Sequence, residues 1–265
     1  MIYFCGDIHG DFRHLHQLVH ASPRPDAVIL LGDIEADKRP LLCEIESLLK
    51  VDVDVRFIFG NHDSDKRKAW DHLESAMHLN FHGKVVEIDG KRIAGLGGIF
   101  RSEIWYPPEA PKFQSYAEYC QKIEDKRPIR LRKREAREAS LRHWEHTPGA
   151  NAAMIDEIRY GKELRHKSSI FWDTYEALWD QQADILVVHE APSCHPHGFE
   201  AIDLLAQNMG VKSLFHGHHH DRLDYSACKL GFEAYGVGLR GITSDSGVIV
   251  KAGELDHARS DRCGS

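Results

Sequence analysis

Five short apolar runs, each stopping at residues able to bind a metal ion, constrain this chain more than any other feature. IYFCG (Ile2–Gly6) leads into Asp7 and His9, AVILLG (Ala27–Gly32) into Asp33, and VRFIFG (Val55–Gly60) into Asn61 and His62. Far downstream, DILVVHE (Asp184–Glu190) delivers His189, and KSLFHGHHH (Lys212–His220) delivers His218 and His220. Runs this short and apolar suit strands buried on both faces. Between the first three lie FRHLHQLVHA and RPLLCEIESLLK, where Leu41, Leu42, Ile45, Leu48 and Leu49 recur at helical spacing. Alternation of this kind predicts stacked β-α units, with helices covering a sheet. Functional groups of open α/β sheets gather beyond the carboxyl ends of the strands. Five strands of one sheet are therefore expected to bring these residues to one edge.

The rest of the chain fits around that frame. Val85–Ile88 and Arg92–Leu96, joined by Asp89–Gly90, read as a hairpin with a type I′ turn. From about 101 to 182 the character changes to helical, aromatic and highly charged, and the β pattern then resumes. The reading is one α/β domain over 1–251, carrying a helical insertion at about 101–182, and a polar tail at 252–265. Hydrophobic content of 42%, charged content of 28% and a net charge of −7 describe an ordinary globular chain without global basicity for nucleic acid or membrane. Six cysteines with no C-x-x-C pair read as thiols of a reducing compartment. With no signal-like N-terminus and no run of membrane-spanning length, a cytoplasmic setting is expected. The sequence assigns no oligomeric state.

Asp7, Asp33, His9, His189, His218, His220 and Asn61 supply two carboxylates, four imidazoles and one amide oxygen. A borderline oxygen–nitrogen set without thiolate suits manganese, iron, zinc or nickel. Seven ligands exceed the need of one ion, and a carboxylate such as Asp33 can bridge two. Paired ions about 3.5–4 Å apart clamp the attacking and leaving oxygens of an in-line displacement. Any one of these residues alone could merely cap the helix that follows its strand; all of them in register is a different matter.

With GDIHG (Gly6–Gly10), GD (Gly32–Asp33), GNHD (Gly60–Asp63), the strand-end histidine of VVHEAP, and GHHH (Gly217–His220) in that order, the chain resembles the calcineurin-like metallophosphoesterases. The resemblance spans everything but the insertion and tail. It implies a four-layer α-β-β-α sandwich with the insertion as a helical cap. It also implies two divalent ions, manganese first, with iron, zinc or nickel as alternatives. One ion would be held by Asp7, His9, Asp33 and His220, the other by Asp33, Asn61, His189 and His218. The implied reaction is attack of a metal-bridging hydroxide on a phosphate ester, with His62 contacting phosphate and protonating the leaving group.

Departures bear on the substrate. Phosphoprotein phosphatases and dinucleotide hydrolases of the family carry G-D-x-x-D-R, with an acid that orients the catalytic histidine and an arginine for phosphate. Here the block is GDIEADKR, with Asp37 one position late and Lys38 next to it. KRIAGLGGIF (Lys91–Phe100) is instead similar to a strand of lariat-debranching and other phosphodiesterase-like members, although debranching enzymes usually carry cysteine where Asp7 stands. A phosphodiester is thus favoured over a phosphomonoester, and over a non-catalytic scaffold. Arg101 and Arg240 are candidate phosphate contacts. The basic run from Lys126 to Arg142 could grip nucleic acid, though a solvated helix face is favoured. His14, His16 and His20 are expected at the surface, His195 and His197 in a polar loop, and His216 and His219 outside the ligand set. Trp105, Tyr106, Trp144, Trp172 and Trp179 could stack a base, but are expected to pack the insertion onto the main domain.

Overall fold

The computed structural model describes residues 1–125, 139–140 and 162–256. Ten strands occur among them: β1 (Ile2–Cys5), β2 (Ala27–Leu30), β3 (Asp54–Phe57), β4 (Lys84–Ile88), β5 (Lys91–Leu96), β6 (Ile185–Val188), β7 (Ser213–His216), β8 (Glu233–Gly236), β9 (Ile242–Ser244) and β10 (Ile249–Lys251). They form two five-stranded sheets, ordered β10-β9-β1-β2-β3 and β4-β5-β6-β7-β8. The motif-bearing strands are therefore split between two sheets rather than aligned in one. Strands apolar at every position carry no periodic mark of which sheet they join, so the bare pattern could not separate them.

Alternation along each strand builds the layers. Ile2, Phe4, Ala27 and Ile29 of the first sheet meet Ile93, Ile185, Val187 and Phe215 of the second in one core cluster. The Phe4 and Phe215 rings stack at 3.9 Å between centroids, marking the middle of that interface. The alternate residues Tyr3, Cys5, Val28 and Leu30 face outward into a cluster with Leu15, Leu41, Ile45 and Leu48 of the early helices. On the opposite side, Leu96, Leu186, Val188 and Leu214 pack with Ile202 and Leu205 of helix Glu200–Asn208, and with Tyr175 and Leu178 of helix Trp172–Trp179. The result is the expected order helix, sheet, sheet, helix.

The two flanks of the insertion belong to this last helical layer. Trp105 is buried in the cluster, and Trp172 and Trp179 pack against it, so the described flanks are anchored on the outer face of the second sheet. β5 before the insertion pairs in parallel with β6 after it, Leu96 opposite Val188. Most of the basic run and Trp144 lie outside the described residues. The Asp89–Gly90 turn is left-handed at both positions, φ 52° and 70°, as a type I′ hairpin requires. A second expectation fails: His14 is buried, only 5% exposed, on the inward side of the short helix Arg13–Gln17. Burial, aided by Lys251, lowers its pKa to about 4 and keeps it neutral. Among the described residues no helix is long and apolar enough to cross a membrane.

Candidate metal centre

Register explains how residues distant in sequence converge. Cys5, Leu30 and Phe57 stand side by side at the carboxyl ends of β1, β2 and β3. Asp7, Asp33 and Asn61 follow within a few residues. In the facing sheet, Val188 pairs with His216, and His189 and His218 follow them. Both sheets end on the same side, and their side chains meet there.

Gly32 makes the approach possible. A Cβ on it would lie 2.6 Å from both His189 Nδ1 and the Gly60 nitrogen, and its φ of 101° is itself closed to most side chains. The turns beyond the strands are equally constrained. His9, Asp33, Glu35, His218 and His220 all adopt left-handed backbone, with φ of 45°, 45°, 47°, 72° and 58°. Conformations of this kind cost roughly 1 kcal/mol or more each and gather where geometry serves function. The GHHH segment is consequently a tight turn instead of an extended one.

The donor atoms fall into two groups that share one carboxylate. Ligand atoms of His9, Asp33 and His220 lie within 4.8 Å of one another, and so do those of Asp33, His189 and His218. Asp7 Oδ2 is 3.6 Å from His220 Nε2 on the first side. Asn61 Oδ1 is 3.1 Å from His189 Nε2 on the second. The chemistry of this set fits a pair of cations. Asp7 Oδ2 and Asp33 Oδ2 are buried with no hydrogen-bond donor. The ring nitrogens Nε2 of His9 and His220 stand 2.9 Å apart. Buried carboxylate oxygens without donors beside convergent imidazoles are costly unless a positive charge sits among them.

Tautomers are set from behind. His189 Nδ1 lies 2.8 Å from the Leu31 carbonyl, so it donates there and turns Nε2 toward Asp33. His9 Nδ1 meets Glu35 Oε1 at 2.5 Å and likewise leaves Nε2 for the centre. Glu35 is in turn 3.5 Å from Lys66 Nζ, which also pairs with Asp37. Asp63 Oδ1 and Oδ2 accept backbone N–H groups of Glu35 and Gly60, each at 2.8 Å, and tie the second and third loops together.

The electrostatics show a centre short of positive charge. Burial raises the Asp7 pKa to about 6, with Asp33 adding repulsion against the pull of His189. Burial opposes protonation of His189, yet Asp33 and Asp7 outweigh it and raise its pKa to about 10. A cation entering here would replace that proton. His218 is driven the other way, to about 2, by burial and by His189. It is a neutral donor, as ligation requires.

His62 stands at the rim, its ring 5.6 Å from that of His9. Its backbone N–H donates to Asp33 Oδ1 at 2.8 Å, and its Nδ1 pairs with Asp65 Oδ2 at 2.7 Å. Asp65 is the leading cause of a raised pKa, to about 9, against partial burial. A protonated imidazole is thus held beside the candidate ligands. The acid on the His62 ring is Asp65, from the same loop, and not Asp37 of the GDIEADKR block.

The two candidate arginines are placed differently. Arg101 is buried, with Nη1 donating to the Ser168 carbonyl at 2.7 Å and to Ser169 Oγ at 3.0 Å. Ser168 Oγ reaches the Asn61 carbonyl at 3.3 Å, so Arg101 braces the loop bearing Asn61. Arg240 donates to the Ile8 carbonyl at 3.1 Å and to Glu254 at 2.6 Å. It lies beside the loop bearing Asp7 and His9 with its guanidinium engaged. His216 is buried and pairs with the Tyr225 hydroxyl at 2.9 Å, and His219 stacks on His195 at 3.8 Å. His219 also approaches Glu190 and His218, whose donor atoms form a third possible group with it.

Sequence reasoning passed over Glu35, Asp65 and Glu190, and named Asp63 only as the last residue of GNHD. The available signals were local: Glu35 two residues after Asp33, and Asp65 one helical turn after His62. Nothing in the sequence marked Glu190, which is buried, raised to about 7 by burial, and accepts the Phe100 N–H at 2.9 Å.

A family model described as calcineurin-like phosphoesterase matches residues 1–222. A protein of Haemophilus influenzae described as uncharacterized is 37% identical over 249 residues, covering 93% of this chain and 95% of its own. Among solved structures, TT1561 of Thermus thermophilus matches with a TM-score of 0.53 at 14% identity, over 95% of this chain and 97% of that one. This last likeness is one of fold.

Proposed function

Because the chain belongs to the calcineurin-like phosphoesterase family, we propose that it hydrolyses a phosphodiester with two divalent cations held by the seven strand-end residues. The observation that carries this reading is the pair of donor groups sharing Asp33, with His62 beside them. Asp7, His9, Asp33 and His220 would hold one ion, and Asp33, Asn61, His189 and His218 the other. Such ions, manganese foremost by ligand hardness and by the family, would when bound supply a nucleophile from water near neutral pH and neutralise phosphoryl oxygens. This chain's residues do the rest. Glu35 and the Leu31 carbonyl fix the donor tautomers of His9 and His189, and Asp65 holds the His62 ring. His62 carries the proton that the departing oxygen takes up.

The preference for a diester is supported by the placement of the basic residues. Among the described residues, Arg101, Arg240 and Lys66 near the centre are all committed to protein partners. A monoester dianion calls for more free positive charge than a diester monoanion. Turnover of p-nitrophenyl phosphate and of its bis-ester by the metal-loaded enzyme decides the order, and a pronounced monoester preference reverses it. Asp33→Asn and His189→Ala are expected to abolish hydrolysis of either ester. Near-wild-type turnover in both variants overturns the assignment.

A further inference from the structure

The outer helical layer of the second sheet holds a cavity of about 680 Å³ lined by Trp105, Tyr106, Trp172, Trp179 and Phe199. None of the strand-end residues of the metal centre lines it. Its volume is that of a small-molecule site.

The rings are arranged as walls. Trp172, Tyr175 and Trp179 project from one face of their helix, with consecutive planes inclined by 30° and 34°. Trp105 meets this ladder nearly at right angles, 75° to Trp172 and 81° to Tyr175. On the other side Tyr106 stands at 80° to Phe199, their centroids 5.2 Å apart. Ring faces carry the negative lobe of the aromatic quadrupole and attract a cation; of the lining rings Tyr106 is exposed and Trp172, Trp179 and Phe199 are partly so, which leaves ring surface for a ligand.

The loop bearing Trp105 and Tyr106 is preformed. Trp105 Nε1 donates to the Glu109 carbonyl at 2.9 Å, the Glu109 N–H donates to the Tyr106 carbonyl at 3.1 Å, and Pro107, Pro108 and Pro111 stiffen the segment. A site built this way loses little entropy on binding.

Charge selects the occupant. Among the described residues, the only ionisable side chains besides Tyr106 and Tyr175 in the lining are Glu109 and Glu200, and no lysine, arginine or histidine joins them. Acidic groups beside aromatic walls repel a phosphate ester and favour a cation whose own surface is apolar. The geometry points to a binding site for a small organic cation of the quaternary-ammonium class, separate from the metal centre.

Choline is the probe, with 3,3-dimethyl-1-butanol as the neutral molecule of the same shape. Titration into the full-length, metal-loaded protein is followed by calorimetry and by tryptophan fluorescence. Choline is expected to bind saturably and at least roughly tenfold more tightly than the butanol, the margin that desolvated cation–π contacts allow. Tyr106→Ala and Glu109→Gln alter exposed side chains and should each weaken choline by about threefold or more while leaving the circular dichroism spectrum unchanged. Equal binding of the two probes makes the cavity a plain apolar groove and overturns the proposal. So does absence of saturation, or choline binding untouched by both variants. Phosphoesterase activity is not the readout, so this site and the proposed reaction stand or fall separately.

Discussion

Replacing Asp65 by Asn tests whether His62 acts as the proton donor or merely sits near the centre. The carboxylate is 2.7 Å from His62 Nδ1, and the two side chains are 37% and 46% exposed. Solvent screening at that exposure limits a charge-assisted pair to about 1 kcal/mol, or roughly fivefold in rate. The loss should depend on the leaving group. Aryl methyl phosphodiesters graded by leaving-group pKa should show little change at the nitrophenyl end, where the departing oxygen needs no proton. At the unsubstituted phenyl end the full loss should appear, steepening the dependence of kcat on leaving-group pKa. The pH profile adds a second readout. Asp65 leads the causes that raise His62 to about 9, and activity needing protonated His62 falls as pH rises through that value. Asp65→Asn removes the charge, so the alkaline limb should move to lower pH. Bound cations depress the value in both proteins, but the difference between them remains. A uniform loss across all leaving groups, with the limb unmoved, refutes proton donation through His62.

Three further outcomes follow from the same structure. Glu35→Gln should weaken one of the two divalent-ion affinities about 10- to 100-fold in calorimetry, since Glu35 holds Nδ1 of His9; unchanged affinities refute the orienting role. Adding Mn²⁺ at about a hundred times its Kd to chelator-treated protein should stabilise the fold by about 2.7 kcal/mol, several degrees in Tm, by relieving the donor-free oxygens of Asp7 and Asp33; an unmoved Tm counts against the centre. His14 has a folded pKa of about 4, below its ordinary 6.5, so the unfolded chain binds the proton first. Its contribution is complete above pH 6.5 and declines as pH falls toward 4, by about 3 kcal/mol. Urea denaturation of His14→Leu should show a shallower loss over that interval, and parallel curves for variant and wild type refute the argument.

How much of this was legible in the sequence depends on where each residue sits relative to a strand. Asp7, Asp33, Asn61, His189 and His218 follow apolar runs directly, and parallel registers such as Cys5 beside Leu30 and Phe57 make order along the chain equivalent to position in space. For these residues a linear reading was enough to predict that they meet. The assignment of strands to sheets was not legible from the runs, because Ile2 and Tyr3 are equally apolar although one faces the other sheet and its neighbour faces a helix. His14 was missed for the complementary reason: a polar residue on a short helix reads as surface, and only packing shows that it points inward. The supporting acids were hidden by turn geometry. Glu35 reaches His9 because its own backbone and that of Asp33 are left-handed, and Asp65 reaches His62 across one turn of 3-10 helix.

That division has a physical source. Donors placed by sheet register are bound to a scaffold that apolar burial stabilises independently, so their spacing survives in the sequence as a recurring pattern. Groups that tune those donors hang from strained loops, where one residue more or less changes which side chain arrives. The late Asp37 illustrates this: displaced from the position of the acid in the G-D-x-x-D-R block, it pairs with Lys66, and Asp65 from the neighbouring loop meets the imidazole instead. The same requirement, a carboxylate on Nδ1 of His62, is thereby met by a residue of the third loop instead of the second.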